Sequence, residues 1–288
     1  MNIAQHKKQS IHYTVDLEDF SFDLCRALGT TSVPELRAES LRECYQNITD
    51  LLTNHDQSES KITFFCTGVM ADRYPDLIRT IAQDGHEIAC HGNFHDNISR
   101  MSTEEIYTSL KIAKKKLGEI SNTEIRGFRA PSFSVDKYDY ERLDAISQVF
   151  EYDSSLHFSC DKEFQEWLEH RTIQLREFPV PDQTIFSSKF KVKTGGSYLK
   201  LFPVSVVKNA IYKSIKNNIT PILYLHPYDL FYGYNLLLSW QELDGANSRK
   251  YWYVRQLQWA GIFNWAQKRK LQRIFSEFNN LGRLDACL

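Results

Sequence analysis

The chain lacks an excess of charge of either sign: its 288 residues carry 35 Lys and Arg against 36 Asp and Glu. So close a balance supplies no broad field for nucleic acid or an anionic membrane, and neither is an expected partner. No segment approaches the roughly 18 continuous apolar residues of a membrane span. The opening MNIAQHKKQSIHYTVD also lacks the apolar stretch of an export signal, so a cytoplasmic location is the expectation. The six cysteines (Cys25, Cys44, Cys66, Cys90, Cys160 and Cys287) include no CxxC pair, and a chain this long does not need disulfide staples. Cys66 and Cys90 lie within apolar runs and are expected to be small buried hydrophobes. Repeats and low-complexity linkers are missing too. What is present is ordinary globular composition, 42% hydrophobic and 25% charged, enough for one large domain or one domain with an extension. Aromatics reach 13%; they fill cores, and they also line carbohydrate clefts.

Strand and helix signals alternate along the chain. IHYTVDL over 11–17 reads as a strand, residues 38–54 as a helix, KITFFCTG as a buried strand, and Pro75 to Ile81 as a helix stopped by Gly85. EIACH follows as a strand, then a helix over about 102–118 with Ser102 or Thr103 as N-cap and Gly118 at its end. A strand near 125–129, a helix around 137–147, a strand near 150–153 and an extended stretch over 172–180 come next. Residues 203–217 form a helix, and PILYLHP is the last strong strand. This β-then-α order predicts a parallel sheet with crossover helices, open or closed into a barrel. The tail over 246–288 begins basic and aromatic and then turns helical, either packed on the core or lying over the substrate.

Four groups stand at or just after predicted strand ends, where α/β folds bind ligands. Asp16, Glu18 and Asp19 crowd three carboxylates into four residues, as a metal ligand beside a base would, or as a solvated acidic turn would. His91 and His95, four apart, can meet on one face of a helical turn and share a metal with a carboxylate; that spacing alone also arises by chance. His86 reads as a helix-exit residue rather than a ligand. Arg129 can brace a carboxylate and hold it ionised, and Pro131 fixes the backbone so that the next amide can face an oxyanion. His226, leaving an apolar strand, is placed as a general acid or as a hydrogen-bonded rim histidine.

In this order the first-strand carboxylates, TFFCTG, HEIACHGNFH, GFRAPSFS, YDSS and LYLHP resemble the polysaccharide deacetylase family of carbohydrate esterases over residues 11–235. The likeness is greatest to the branch found with bacterial exopolysaccharide gene clusters. The resemblance implies a deformed seven-stranded (β/α) barrel over 1–235, with a C-terminal helical extension over 236–288. It implies hydrolysis of an N-acetyl group on a glycan and a divalent metal, usually zinc, held by His91, His95 and an aspartate of the first motif. Another carboxylate of that motif would be the base, with Arg129 near it. His226 would be the general acid, and Asp153 falls near the acidic residue that tunes it. Many members have two adjacent aspartates in the first motif, whereas this chain has Asp16-Leu17-Glu18-Asp19. Either Asp16 is the base and Asp19 or Glu18 the ligand, or Glu18 is the base and Asp19 the ligand. We take Asp16 as base, since it closes the apolar strand, and Asp19 as ligand. The aromatic that often follows the motif proline is replaced by Ser132, with Phe133 next, so Pro131, Ser132 and Phe133 are the expected substrate contacts. Metal-free relatives acting on allantoin tend to lose the metal histidines, and both are present here. A nucleotide- or lipid-linked sugar is the alternative substrate, and a non-catalytic carbohydrate-binding protein on the same barrel the alternative function. The absent export signal favours a glycan under construction; the Trp-, Tyr- and Arg-rich tail offers a docking surface for peripheral association with a membrane or a glycan-assembly enzyme, with a packed helix the stronger expectation.

Overall fold

β1 (Gln9–Leu17) sets the frame, because its alternate residues meet two different environments. Ile11, Tyr13, Val15 and Leu17 join the large core beneath the helices. His12, Thr14 and Asp16 fall on the opposite face by the two-residue period of a strand, and they are buried as well. A buried polar strand face needs hydrogen-bond partners, and the interior of the curled sheet supplies them. The computed structural model describes residues 8–30, 33–54, 61–159, 163–185, 190–231, 233–260 and 264–288.

The chain continues through α1 (Phe20–Leu28), α2 (Ala38–Thr53), β2 (Thr63–Cys66), α3 (Gly68–Arg73), α4 (Pro75–Gln83) and β3 (Glu87–Cys90). Next come α5 (Thr103–Ser121), β4 (Gly127–Phe128), α6 (Tyr140–Ser147), β5 (Tyr152–Asp153), α7 (Phe164–His170) and β6 (Arg176–Glu177). The remainder is β7 (Asp182–Ile185), β8 (Phe190–Lys193), α8 (Gly196–Leu201), α9 (Val204–Lys216), β9 (Ile222–Leu225), α10 (Arg249–Ala260), α11 (Asn264–Glu277) and β10 (Phe278–Asn280). Seven parallel strands, in the order β9-β1-β2-β3-β4-β5-β6, make the curled sheet of a deformed (β/α) barrel. Among the described residues no ladder joins β6 to β9. The β7–β8 hairpin lies between them in the chain, and its exit at Gly195 bridges Tyr224 of β9.

The alternation of β1 recurs in its neighbours. Phe64, Cys66, Ile88 and Cys90 pack outward under the helices, and Phe65 and Ala89 join Tyr152, Phe178 and Tyr224 in a second cluster. Cys66 and Cys90 are therefore the buried hydrophobes expected of them. The described cysteines are all free thiols, and Cys160 lies outside the described residues. Ser102 caps α5 in a reciprocal box with Glu105. That helix runs past Gly118 to Ser121 and stops at Asn122, whose left-handed φ of 54° supplies the turn expected of the glycine. The tail holds more than helices. β10 lies parallel to the start of β1, Gln9 opposite Phe278, and Leu271, Ile274 and Phe275 of α11 are buried in the main core. No helix among the described residues is long and apolar enough to cross a membrane.

Candidate metal and catalytic site

The barrel-facing residues of β1 converge on β4 at the carboxyl ends of the strands. Arg129, just past β4, is fully buried, and its Nη1 donates to Asp16 Oδ1 at 2.6 Å and to Thr14 Oγ1 at 2.8 Å. Its Nε donates to the Ser154 carbonyl at 3.1 Å and its Nη2 to Ser154 Oγ at 2.7 Å, while the Phe65 ring lies 4.0 Å from the guanidinium carbon. A buried cation is tolerated only when its donors and charge are met this fully. Asp16 is thus fixed by Arg129, as the sequence suggested.

Glu18 continues the same face, two residues on, and its Oε2 lies 2.8 Å from His95 Nε2. His91 Nδ1 lies 2.8 Å from the carbonyl of Arg129, which places its proton on Nδ1 and leaves the Nε2 lone pair for a ligand. One ligand atom from each of Glu18, His91 and His95 falls within 4.8 Å of the others. Burial pushes His91 down to about 4, so it is neutral, as a metal ligand must be. Burial also opposes charge on Glu18 and His95, but their mutual attraction wins, holding the carboxyl at about 2 and raising the imidazole to about 9. Glu18 and His95 thus pair with each other, and a metal binding here would take the place of the His95 proton. Two imidazoles and a carboxylate are the donor set of a divalent metal such as zinc, and these residues fit one.

Asp19, the expected ligand, is not in this cluster. Its Oδ1 caps α1, accepting from Ser21 Oγ at 2.8 Å and Phe22 N at 3.2 Å. Its Oδ2 takes Arg73 Nε at 2.9 Å and the Tyr74 hydroxyl at 2.6 Å. Being one residue out of phase with Asp16, it faces away from the histidines; the strand period was the available signal for preferring Glu18. The two histidines also meet by a different route from the one expected. Residues 91–95 form a loop, not a helical turn, with Gly92 at φ 79° and His95 at φ 54°, and the two rings lie 5.2 Å apart. The loop is held against the end of β2 by Gly68 N to Gly92 O at 2.9 Å and Val69 N to Asn93 O at 3.0 Å. A Cβ on Gly68 would lie 2.3 Å from Asn93 Oδ1 and 3.3 Å from its Cα, so a side chain there would have to displace the Asn93 amide and press on the loop.

His226 is partly exposed, and its Nδ1 lies 3.4 Å from Asp229 Oδ2, which also accepts from the His226 backbone N at 2.8 Å. Tyr228 stacks on the imidazole at 4.9 Å. Burial works against the charged ring, yet the hydrogen bond and charge of Asp229, helped by Glu18 and Asp16, raise its pKa above the usual 6.5. Asp153 was expected to tune His226 and does not. It accepts from Ser155 Oγ at 2.5 Å, and Ser155 Oγ accepts from Ala130 N at 2.7 Å, so Asp153 supports the turn after Arg129. Burial raises Asp153 to about 6, and its neighbour in the adjacent strand is Glu177. Asp229 was missed although it stands three residues past His226, the spacing at which a side chain reaches back to a capping residue's amide. Asp23 was missed as well. It sits one turn into α1 with His95 and Glu18 as charged neighbours, and burial pushes its carboxyl well above the ordinary range.

Pro131, Ser132 and Phe133 form a tight turn in which Ser132 and Phe133 both hold φ near 55°. Phe133 lies 5.6 Å from the Arg129 guanidinium and 5.0 Å from the Tyr224 ring. Strained backbone beside a buried cation is typical of functional sites.

Residues 22–146 match the polysaccharide deacetylase family. The chain carries a polysaccharide deacetylase domain. That match takes in His91, His95, Arg129 and the 131–133 turn. Residues 157–235 match a domain of unknown function, DUF3473, which takes in His226 and Asp229; Asp16 and Glu18 precede both. A stretch of 115 residues is 29% identical to a peptidoglycan-N-acetylglucosamine deacetylase of Bacillus cereus, over 33% of this chain and 42% of that protein. A chitooligosaccharide deacetylase of a Bradyrhizobium species is 31% identical over 74 residues, 26% of this chain and 32% of that one. The chain thus spans less than half the length of these curated relatives. A crystal structure from Mycobacterium smegmatis, described as a polysaccharide deacetylase, aligns over 96% of this chain and 95% of that one with TM-score 0.48 and 17% identity.

Proposed function

We propose that the chain hydrolyses the N-acetyl group of an amino sugar in a polysaccharide or a glycan intermediate, with one divalent metal held by Glu18, His91 and His95. The observation that carries this reading is the placing of that donor set beside two acid–base groups of opposite character: Asp16, clamped by Arg129, and His226, backed by Asp229. A metal bound there supplies a Lewis acid for the acetyl carbonyl and lowers the pKa of its bound water. Asp16, kept in place by the buried guanidinium, takes the proton of the attacking water. The amide at Ser132 donates to the oxyanion that develops on the acetyl carbonyl. His226 gives its proton to the departing sugar nitrogen, and Tyr228 and Asp229 keep the ring in position for that transfer.

Zinc is the metal this donor set favours, and Pro131 and Phe133 form one wall of the sugar pocket in this reading. Residues 1–235 carry all the reacting groups, and 236–288 form an extension joined to the same sheet. The relatives named for peptidoglycan and chitooligosaccharide support an acetylated glucosamine chain as the substrate class.

The test is metal analysis joined to acetate release from N-acetylated glucosamine oligomers. His91→Ala and His95→Ala should stay folded and lose both metal and activity. His226→Ala should keep its metal and turn over at least about a hundredfold more slowly. Full activity in either metal-free histidine variant contradicts the proposal.

A further inference from the structure

Behind His226 the polar contacts continue into the protein. Asp229 gives one carboxylate oxygen to the histidine, and its other oxygen, Oδ1, lies 3.2 Å from Nζ of Lys200 in α8. Asp229 is 0% exposed and Lys200 4%, so both charges are removed from water and depend on each other. The segments carrying them, α8 and the turn over 227–230, are far apart in sequence. Both are tied to α11. Asn264 Nδ2, at the start of that helix, donates to the Tyr228 carbonyl at 2.8 Å and to the Phe231 carbonyl at 2.6 Å, on either side of Asp229. Two turns further on, Lys270 Nζ donates to the carbonyls of Leu199, Lys200 and Phe202 at 2.8, 2.7 and 2.8 Å, closing the end of α8. Packing alone would account for Leu271, Ile274 and Phe275, which fill the core. It does not account for two polar side chains that each bond the backbone beside one member of a buried ion pair.

We propose that α11 and Lys200 form a brace for the acid. Lys200 is a positioning residue that holds one oxygen of Asp229, so that the other oxygen fixes the His226 ring by Nδ1 and leaves Nε2 for the substrate. Asn264 and Lys270 hold the two backbone segments in register. This rests on His226 being the proton donor of the reaction. The brace has an electrostatic consequence. The groups facing His226 are Asp229 and Tyr228 from its own turn, Asp16 and Glu18 from the end of β1, and Tyr224 from β9; Gly196 of α8, where a Cβ would lie 3.0 Å from the ring, brings no charge. Lys200 shares the charge of Asp229, so the histidine releases its proton more readily than it would beside an undivided carboxylate. Removing a cation always raises the proton affinity of the remaining pair, so the sign is fixed.

The experiment is an NMR titration of the His226 imidazole in the full chain, run beside the pH profile of acetate release from N-acetylated glucosamine oligomers. In Lys200→Met the His226 titration should move up by about one pH unit. The alkaline limb of kcat should move with it, kcat should fall by roughly ten- to a hundredfold, and KM should change little. Lys200→Arg should restore the wild-type titration. Asn264→Ala leaves the ion pair's own groups intact and should lower kcat in the same way with KM unchanged, giving a second arm if Lys200→Met does not fold. A His226 titration that stays put in folded Lys200→Met overturns the brace, as does an Asn264→Ala chain with wild-type kcat. If the chain releases no acetate but the titration still shifts, the reading of the reaction fails and the brace stands.

Discussion

Asp16 and Arg129 face each other inside the barrel with almost no water, so the consequences of changing either depend on what is left behind. Asp16→Ala leaves the Arg129 cation without its counter-charge and should cost about 3–5 kcal/mol of stability. Asp16→Asn keeps an acceptor for Nη1 though not the counter-charge, so it should unfold between the wild type and Asp16→Ala while losing acetate release, since an amide takes no proton. Urea unfolding of the two variants separates the structural part from the chemical one. Glu18 and Asp19 offer a parallel contrast. Glu18→Ala should lower the bound metal in a dialysed sample while leaving the fold intact. Asp19→Ala strips a partner from Arg73 and Tyr74 and the cap from α1, and should destabilise the chain by about 3 kcal/mol while still binding metal. The reverse pattern would return the ligand role to Asp19. The side chains that meet here were named from the sequence almost completely: Asp16, Arg129, His91, His95 and His226 were all placed at strand ends. What the motifs did not decide was which neighbour each one uses. Choosing Glu18 over Asp19 depends on the phase of β1, and choosing Asp229 over Asp153 depends on a turn after β9 that hydropathy does not mark.

At the scale of the element, the loop over 91–95 is the sharpest departure from expectation. The spacing of His91 and His95 suits a helix, but Gly92 holds φ 79° and a Cβ there would meet Pro131 Cγ at 3.2 Å. Gly92→Ala should therefore cost about 1–2 kcal/mol and loosen metal binding by shifting His91 against the 131–133 turn. Thermal unfolding with and without added zinc would show both effects; a variant identical to wild type would mean that the loop tolerates a side chain after all. Long periodic helices and apolar strands such as α2, α5, β2 and β9 were legible because burial and period agree in them. β4, β5 and β6 are two residues each, and β10 is three, so their signals are too short to separate from the surrounding loops. β10 reads as the end of a helical tail, and only its pairing with Gln9–Ile11 shows that the tail returns to the sheet.

The whole molecule carries a pH sensitivity that does not involve the site. His86, buried between α4 and β3, accepts from Ile62 N at 3.1 Å through Nδ1, and burial pushes its pKa down from 6.5 to about 4. The unfolded chain binds that proton more readily, so stability from this group is complete above pH 6.5 and is lost as pH falls toward 4. The loss should be about 3 kcal/mol at the acid end, with His86→Gln flattening the fall seen in unfolding free energy against pH. The same curled sheet that buries His86 gathers Asp16, Glu18, His91, Arg129 and His226 from β1, β3, β4 and β9 at one end. That gathering underlies the central proposal, a single metal-centred site that removes acetyl groups from a glycan. Acetate release from N-acetylated glucosamine oligomers by one preparation, first stripped with a chelator and then reloaded with zinc, tests it most directly. The account predicts no release from the stripped protein and recovery on reloading; equal release in both states, or none with zinc bound, would contradict it.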